Sequence, residues 1–228
     1  IGFWTKENQE AYFSGIKVRN FRTPANNIFQ ENIHGKLFKD IPQEKEAYLV
    51  KSNTFRTANP SHNATPMLRS VFKTENKIIK KARLYITARG IYETYINGQR
   101  VSDEFFNPGL TQYNKHHSYQ TFYVTNELKS GQSNAIGAWL SEGWWSGNIT
   151  YSGEHWNWFG DRQSLLAKLV ITYADGTEQL VTSNDTDWKL FTDGPIRVGS
   201  FFQGEVYDAT KEAFVKDWTL ATYDDSAW

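Results

Sequence analysis

Between Pro66 and Ala209 the chain alternates apolar and polar positions with a period of two. In IIKKARLYITARG, Leu84, Ile86 and Ala88 fall on one side of an extended chain and Arg83, Tyr85 and Thr87 on the other. That is the pattern of a strand with one buried face. PMLRSVFKT before it, and SYQTFYVT, NAIGAWL, DWKLF and IRVGSFFQGEVYDA after it, read as further strands. IYETYINGQRV carries Asn97-Gly98 between two β-rich runs, the signature of a two-residue type I′ hairpin. LLAKLVITYADGTEQLV reads as a second hairpin turning at Asp175-Gly176, with Leu165, Ala167, Leu169, Ile171 and Tyr173 on one face. TNELKSG is expected to form a single helical turn, capped by Thr125 and ended by Gly131.

Residues 1–65 show no such order. They are polar, rich in Asn, Gln and Lys, and read as an irregular segment packed on the rest of the chain. Phe3-Trp4 and Tyr12-Phe13 are candidate short strands, and FKDIPQEKEAYLVK reads as a loop with a short helical piece. Eight or more closely spaced strands without a long amphipathic helix predict an all-β fold, an antiparallel β-sandwich over residues 66–228. There is no internal repeat.

Composition agrees with strands: aromatic residues make up 16% of the 228, and they favour extended structure. Lys and Arg number 25, Asp and Glu also 25, so the formal net charge is zero. Nothing in that balance favours nucleic acid or an anionic membrane. No apolar run is long enough to span a bilayer. The absence of cysteine removes disulfides, thiolate metal sites and a Cys nucleophile. A periplasmic or secreted bacterial location is the expectation, with a cytoplasmic one left open. The sequons at Asn63, Asn148 and Asn184 occur at a frequency that chance explains.

One stretch breaks the alternation. SEGWWSGNITYSGEHWNWFG (141–160) holds Trp144, Trp145, Trp156 and Trp158 with Tyr151 and Phe159 among glycines. It reads as a long aromatic loop, and flat rings with polar handles suit the apolar faces of sugars or a protein partner. Trp139 and Trp188 fit core packing, and Trp218 and Trp228 flank a C-terminal turn. Glycoside hydrolysis needs two carboxyl groups about 5–10 Å apart. Glu142, Glu154, Asp161, Asp103, Glu104, Glu205 and Asp208 are available, but loop charges and turn caps account for them, so no catalytic residue is assigned. His116 and His117 would point to opposite faces of a strand and cannot easily share an ion. His155 stands alone, so no metal site is expected. There is no GxGxxG, P-loop or nucleophile-elbow motif.

The run ARLYITARGIYETYINGQRV, followed in order by NPGLTQY, YQTFYVTNEL and NAIGAWLSEGWW, resembles the N-terminal module of bacterial α-L-rhamnosidases of glycoside hydrolase family 78. PMLRSVF, LLAKLVITYADGT, GEVYDATKE and YDDSAW extend the likeness over residues 66–228, whereas 1–65 do not align. The resemblance implies a galactose-binding-like jelly roll. It implies a module that precedes a further β domain and an (α/α)6 barrel carrying the acids that cleave terminal α-L-rhamnosides with inversion. This chain would then be a non-catalytic N-terminal fragment ending near a domain boundary at Trp228. Its partners would be the remaining domains of the same chain and a rhamnose-containing carbohydrate, with no nucleic acid and no membrane. In some relatives the module binds rhamnose through calcium near the NPGLTQY turn. Gln112 stands where the family often has Asp, which argues against calcium, so no cofactor is expected. The carbohydrate-binding candidates are Trp144, Trp145, Tyr151, His155, Trp156, Trp158 and Tyr113. Gly143-Trp144-Trp145 also fits a structural anchor of the loop, and a purely structural interdomain scaffold is the alternative role.

Overall fold

In the computed structural model the backbone is described at residues 10–13, 16–19, 27–31, 43–44, 47–51, 65–149, 157–202 and 204–228, with side chains from Thr65 onward. The chain divides into two compact units, residues 1–60 and 61–228. The first contains β1 (Glu10–Phe13), β2 (Ile16–Arg19), β3 (Asn27–Glu31), β4 (Gln43–Glu44) and β5 (Ala47–Lys51), ordered β1-β5-β4 in one sheet and β2-β3 in another. Tyr12 and Phe13 are in a strand as expected; Phe3 and Trp4 lie outside the described residues. Where a loop with a short helical piece was expected within 38–51, the described residues form β4 and β5, which pair antiparallel. Tyr48 and Val50 in β5 favour a strand, and Gln43 and Glu44 pair with Tyr48 and Ala47 of β5.

In the second unit the predicted strands form. They are β6 (Met67–Lys73), β7 (Ile79–Arg89), β8 (Ile91–Ile96), β9 (Gln99–Arg100), β10 (Gln120–Tyr123), β11 (Ser133–Ser141), β12 (Ser164–Tyr173), β13 (Glu178–Thr182), β14 (Trp188–Phe191), β15 (Ile196–Ser200) and β16 (Gly204–Tyr207). Two antiparallel sheets, ordered β10-β7-β12-β13 and β14-β6-β11-β8-β9, face each other as a β-sandwich. Alternation fixes which residues fill it. Leu84, Ile86 and Ala88 from β7 and Leu169, Ile171 and Tyr173 from β12 meet Tyr92, Ile96, Ile136 and Leu140 of the opposite sheet. Burial of each Leu or Ile contributes about 1.5–3 kcal/mol. The chain passes between sheets at Gly90, which has φ +109°, and where a Cβ would collide with the Ser141 carbonyl. Only glycine serves at that corner.

Both hairpins turn where predicted. Asn97 (φ +50°) and Gly98 (φ +88°) link β8 to β9, and Asp175-Gly176 lie in the turn from β12 to β13. The expected helical turn at 125–131 is instead a non-helical hydrogen-bonded turn. The Thr125 hydroxyl accepts from the Ala82 N–H across to β7 (2.9 Å), tying this turn to the neighbouring strand.

The outer face of the five-stranded sheet carries a second cluster. Trp218 lies over Gly137, where a Cβ would come within 2.6 Å of an indole carbon. Trp139 meets Trp218 edge-on at 6.3 Å, and Trp228 stacks on Trp218 at 5.8 Å. Trp139 therefore packs outside the main core, whereas Trp188 packs against it.

Candidate functional site

The aromatic loop leaves β11 through a tight turn in which Trp145 and Ser146 N–H groups donate to the Glu142 carbonyl (3.2 and 3.5 Å). Neighbouring indoles then go opposite ways. Trp145 is buried, and its Nε1–H donates to the Arg162 carbonyl (2.9 Å). Phe159 stacks on it at 6.4 Å, Tyr113 meets it edge-on at 5.5 Å, and the Arg89 guanidinium lies 5.0 Å over its ring. A Cβ at Gly160 would collide with this indole. Tyr113 is also buried, its hydroxyl donating to the Gly109 carbonyl (3.0 Å) and its ring stacked on His117. Trp145 and Tyr113 thus anchor the loop on the sandwich.

Trp144 is only half-buried and belongs to another set of rings. It lies 4.6 Å from Phe201 and 6.5 Å from Phe106, which in turn meets Phe201 at 5.0 Å. Trp158 is 62% exposed. Beside it, the Asn157 N–H donates to the Gly147 carbonyl (2.9 Å) while the Asn157 side-chain oxygen accepts from the Gly147 N–H (2.7 Å). This reciprocal pair holds Gly147 and Asn157 side by side. Tyr151, His155 and Trp156 lie outside the described residues.

Phe106 and Phe201 wall a groove of about 540 Å3 on the outer side of the five-stranded sheet. Ile91, Glu93 and Tyr95 of β8 and Trp139 and Ser141 of β11 form its floor, and the β15–β16 hairpin with Phe201 and Glu205 closes one side. Alternation along β8 explains the floor: Tyr92, Thr94 and Ile96 are buried in the sandwich, so Ile91, Glu93 and Tyr95 face out. The hairpin is pinned by Ser141, whose hydroxyl donates to the Gly199 carbonyl (2.7 Å), and by the Thr65 N–H donating to the Ile196 carbonyl (2.9 Å). Glu93 accepts from Tyr95 (2.7 Å) and pairs with Arg100 (3.1 Å). The groove combines aromatic walls with a few fixed oxygens, as small-molecule sites of about 300–1,000 Å3 do.

The sequence pointed to Trp144 beside this groove but missed Phe105, Phe106 and Phe201. The doublets Phe105-Phe106 and Phe201-Phe202 were the available signal: paired aromatics in turns, where a strand pattern cannot bury both. Other carboxylates have local roles. Asp208 accepts from the Thr210 N–H (3.1 Å) at the start of a 3-10 turn, and Glu104 accepts from the Asn107 amide (3.2 Å).

Glu142 differs. One of its carboxylate oxygens is buried and has no hydrogen-bond donor, and the carboxyl lies against Gly147, where a Cβ would collide with it. Burial without a donor pushes its pKa up to about 7, because the anion is what loses hydration.

The oxygens of the NPGLTQY turn take part in local hydrogen bonds. The Gln112 carbonyl accepts from Lys115 and His116 N–H groups (2.7 and 3.1 Å), the Asn107 carbonyl accepts from Tyr92 (2.9 Å), and the Thr111 hydroxyl donates to the His116 carbonyl (2.7 Å). Among the described residues no cluster of three or more His, Asp or Glu side chains could hold a metal.

Comparison with known proteins adds to this geometry. The family described as "Alpha-L-rhamnosidase N-terminal domain" matches residues 77–228. An α-L-rhamnosidase of Streptomyces avermitilis is 41% identical over 187 residues, covering 82% of this chain and 18% of that protein. One from Formosa agariphila is 40% identical over 163 residues, covering 71% and 17%. The chain thus spans less than a fifth of either relative. Among solved structures, the S. avermitilis enzyme complexed with L-rhamnose superposes with a TM-score of 0.68 at 37% identity, covering 82% of this chain and 18% of that one. An Aspergillus terreus α-L-rhamnosidase gives 0.69 at 35%, covering 80% and 22%.

Proposed function

Because the chain belongs to the α-L-rhamnosidase N-terminal domain family, we propose that it is the non-catalytic β-sandwich module of a hydrolase that removes terminal α-L-rhamnose from glycans. In this reading the module holds or positions carbohydrate for a catalytic barrel elsewhere in its parent protein. The supporting observation is the groove of about 540 Å3 walled by Phe106 and Phe201, with Trp144 packed behind both rings. Ring faces there can take the C–H face of a deoxyhexose, and Glu205 and Ser141 offer acceptors to its hydroxyls. The L-rhamnose complex of the S. avermitilis relative is consistent with this ligand class. Gln112, an amide where a carboxylate would favour a cation, supports binding without calcium.

Calorimetric titration of the 228-residue chain with L-rhamnose and a rhamnosyl disaccharide tests the reading. Saturable binding that Phe201→Ala weakens about three- to tenfold is expected, unchanged by a chelator and without turnover of an aryl rhamnoside. No heat at millimolar sugar would leave the second reading, an interdomain scaffold. What favours that reading is the exposure of Phe105 in the groove and of Val206 and Tyr207 on the β15–β16 hairpin.

A further inference from the structure

The opposite layer of the sandwich carries a surface that this reading does not use. Along the outward side of β7 run Lys81, Arg83 and Tyr85, and the register sets Tyr123 of β10 beside Arg83 and Lys168 of β12 beside Tyr85. Two adjacent rows, about 6.8 Å apart along the strand, thus each place a tyrosine next to a cation. Lys81 and Arg83 lie 5.7 and 5.3 Å over the Tyr123 ring, and Tyr119 extends the face 6.4 Å from Tyr85. Tyr123 and Tyr119 remain 68% and 64% exposed. Lys81, Arg83 and Lys168 have no ion-pair partner among the described residues. Glu178, at the far edge, is hydrogen-bonded to Thr172. In a chain of zero net charge this face is locally basic.

We propose that the outer face of the β10-β7-β12 strands binds anionic polysaccharide, distinct from the groove on the other sheet. The charge asks for an anion, and the tyrosines ask for a ligand with flat C–H faces between its charges. A chain of sugars bearing carboxylate or sulfate groups supplies both along one extended strand. The face would hold the module on an acidic polymer while the groove meets single rhamnose units.

Affinity electrophoresis of the 228-residue chain through gels containing polygalacturonate, a sulfated carrageenan or neutral dextran tests this. Retardation by at least one anionic polymer is expected, the two arms telling carboxylate from sulfate. It should disappear with added salt, be absent in dextran, be lost in Arg83→Glu/Lys168→Glu and fall at least about threefold in Tyr123→Ala. If the double variant does not fold, Lys168→Gln at its exposed position repeats the test and should reduce retardation. The proposal is overturned if neither anionic polymer retards the protein, or if the charge variants migrate like wild type. It is equally overturned if polyglutamate binds as tightly and Tyr123→Ala changes nothing, since an acidic protein surface would then be the occupant.

Discussion

At the scale of single residues, position in the pleat decides more than residue type. Trp144 and Trp145 are neighbours, yet one is sealed by Phe159, Tyr113 and Arg89 while the other backs a groove. The sequence revealed an aromatic loop but not this division, because it depends on which side of a turn each indole leaves. Gly160 marks the sealed side: Gly160→Ala should drive a methyl into the Trp145 ring and lower stability by about 1–3 kcal/mol, read from the urea midpoint. Glu142 gives a pH prediction. Its folded pKa of about 7 lies above the ordinary 4.5, so the folded state binds more protons between those values and stability falls as pH rises from 4.5 to 7. Glu142→Gln removes the charge. The variant should match wild type near pH 4 and exceed it at pH 8, by about 1–2 kcal/mol after allowing for partial solvent access. Thermal melts of both proteins across that range check the sign, and equal pH profiles would count against the buried anion.

At the scale of elements, the strands and the Asn97-Gly98 turn were legible because period-two alternation and a two-residue turn are local properties. What was not legible depended on distant partners. Thr125 was expected to cap its own turn and instead accepts from Ala82 of β7. Asn97 likewise does more than turn the chain. Its amide donates to Glu127 and Asn134 oxygens (both 2.7 Å) and its oxygen accepts from the Ala135 N–H (2.9 Å), tying the hairpin to the start of β11. Asn97→Ala should therefore cost about 2–4 kcal/mol, combining lost hydrogen bonds with an alanine at positive φ. Asn97→Gly, which relieves only the backbone, should recover a minor part of that loss in denaturant unfolding.

For the folded unit as a whole, the C-terminal segment is part of the sandwich. Arg69 on β6 is 0% exposed, and its guanidinium donates to the Trp218 and Leu220 carbonyls (both 2.9 Å) and pairs with Asp225. Together with Trp218 over Gly137 it fastens residues 218–228 across the outer face of the five-stranded sheet. Arg69→Leu should lower stability by about 2–4 kcal/mol, and removal of residues 217–228 should expose Trp139 to a fluorescence quencher. The ordered motifs announced the family from sequence alone, but the groove assembles Phe106, Ser141 and Phe201 from three separated segments. Its function as a carbohydrate site is most directly tested by amide and indole NMR spectra of the labelled 228-residue chain titrated with L-rhamnose. Saturable shifts confined to Phe106, Trp144, Phe201 and Glu205 and their neighbours are predicted. An unchanged spectrum at millimolar sugar, or shifts that leave those residues untouched, would contradict it.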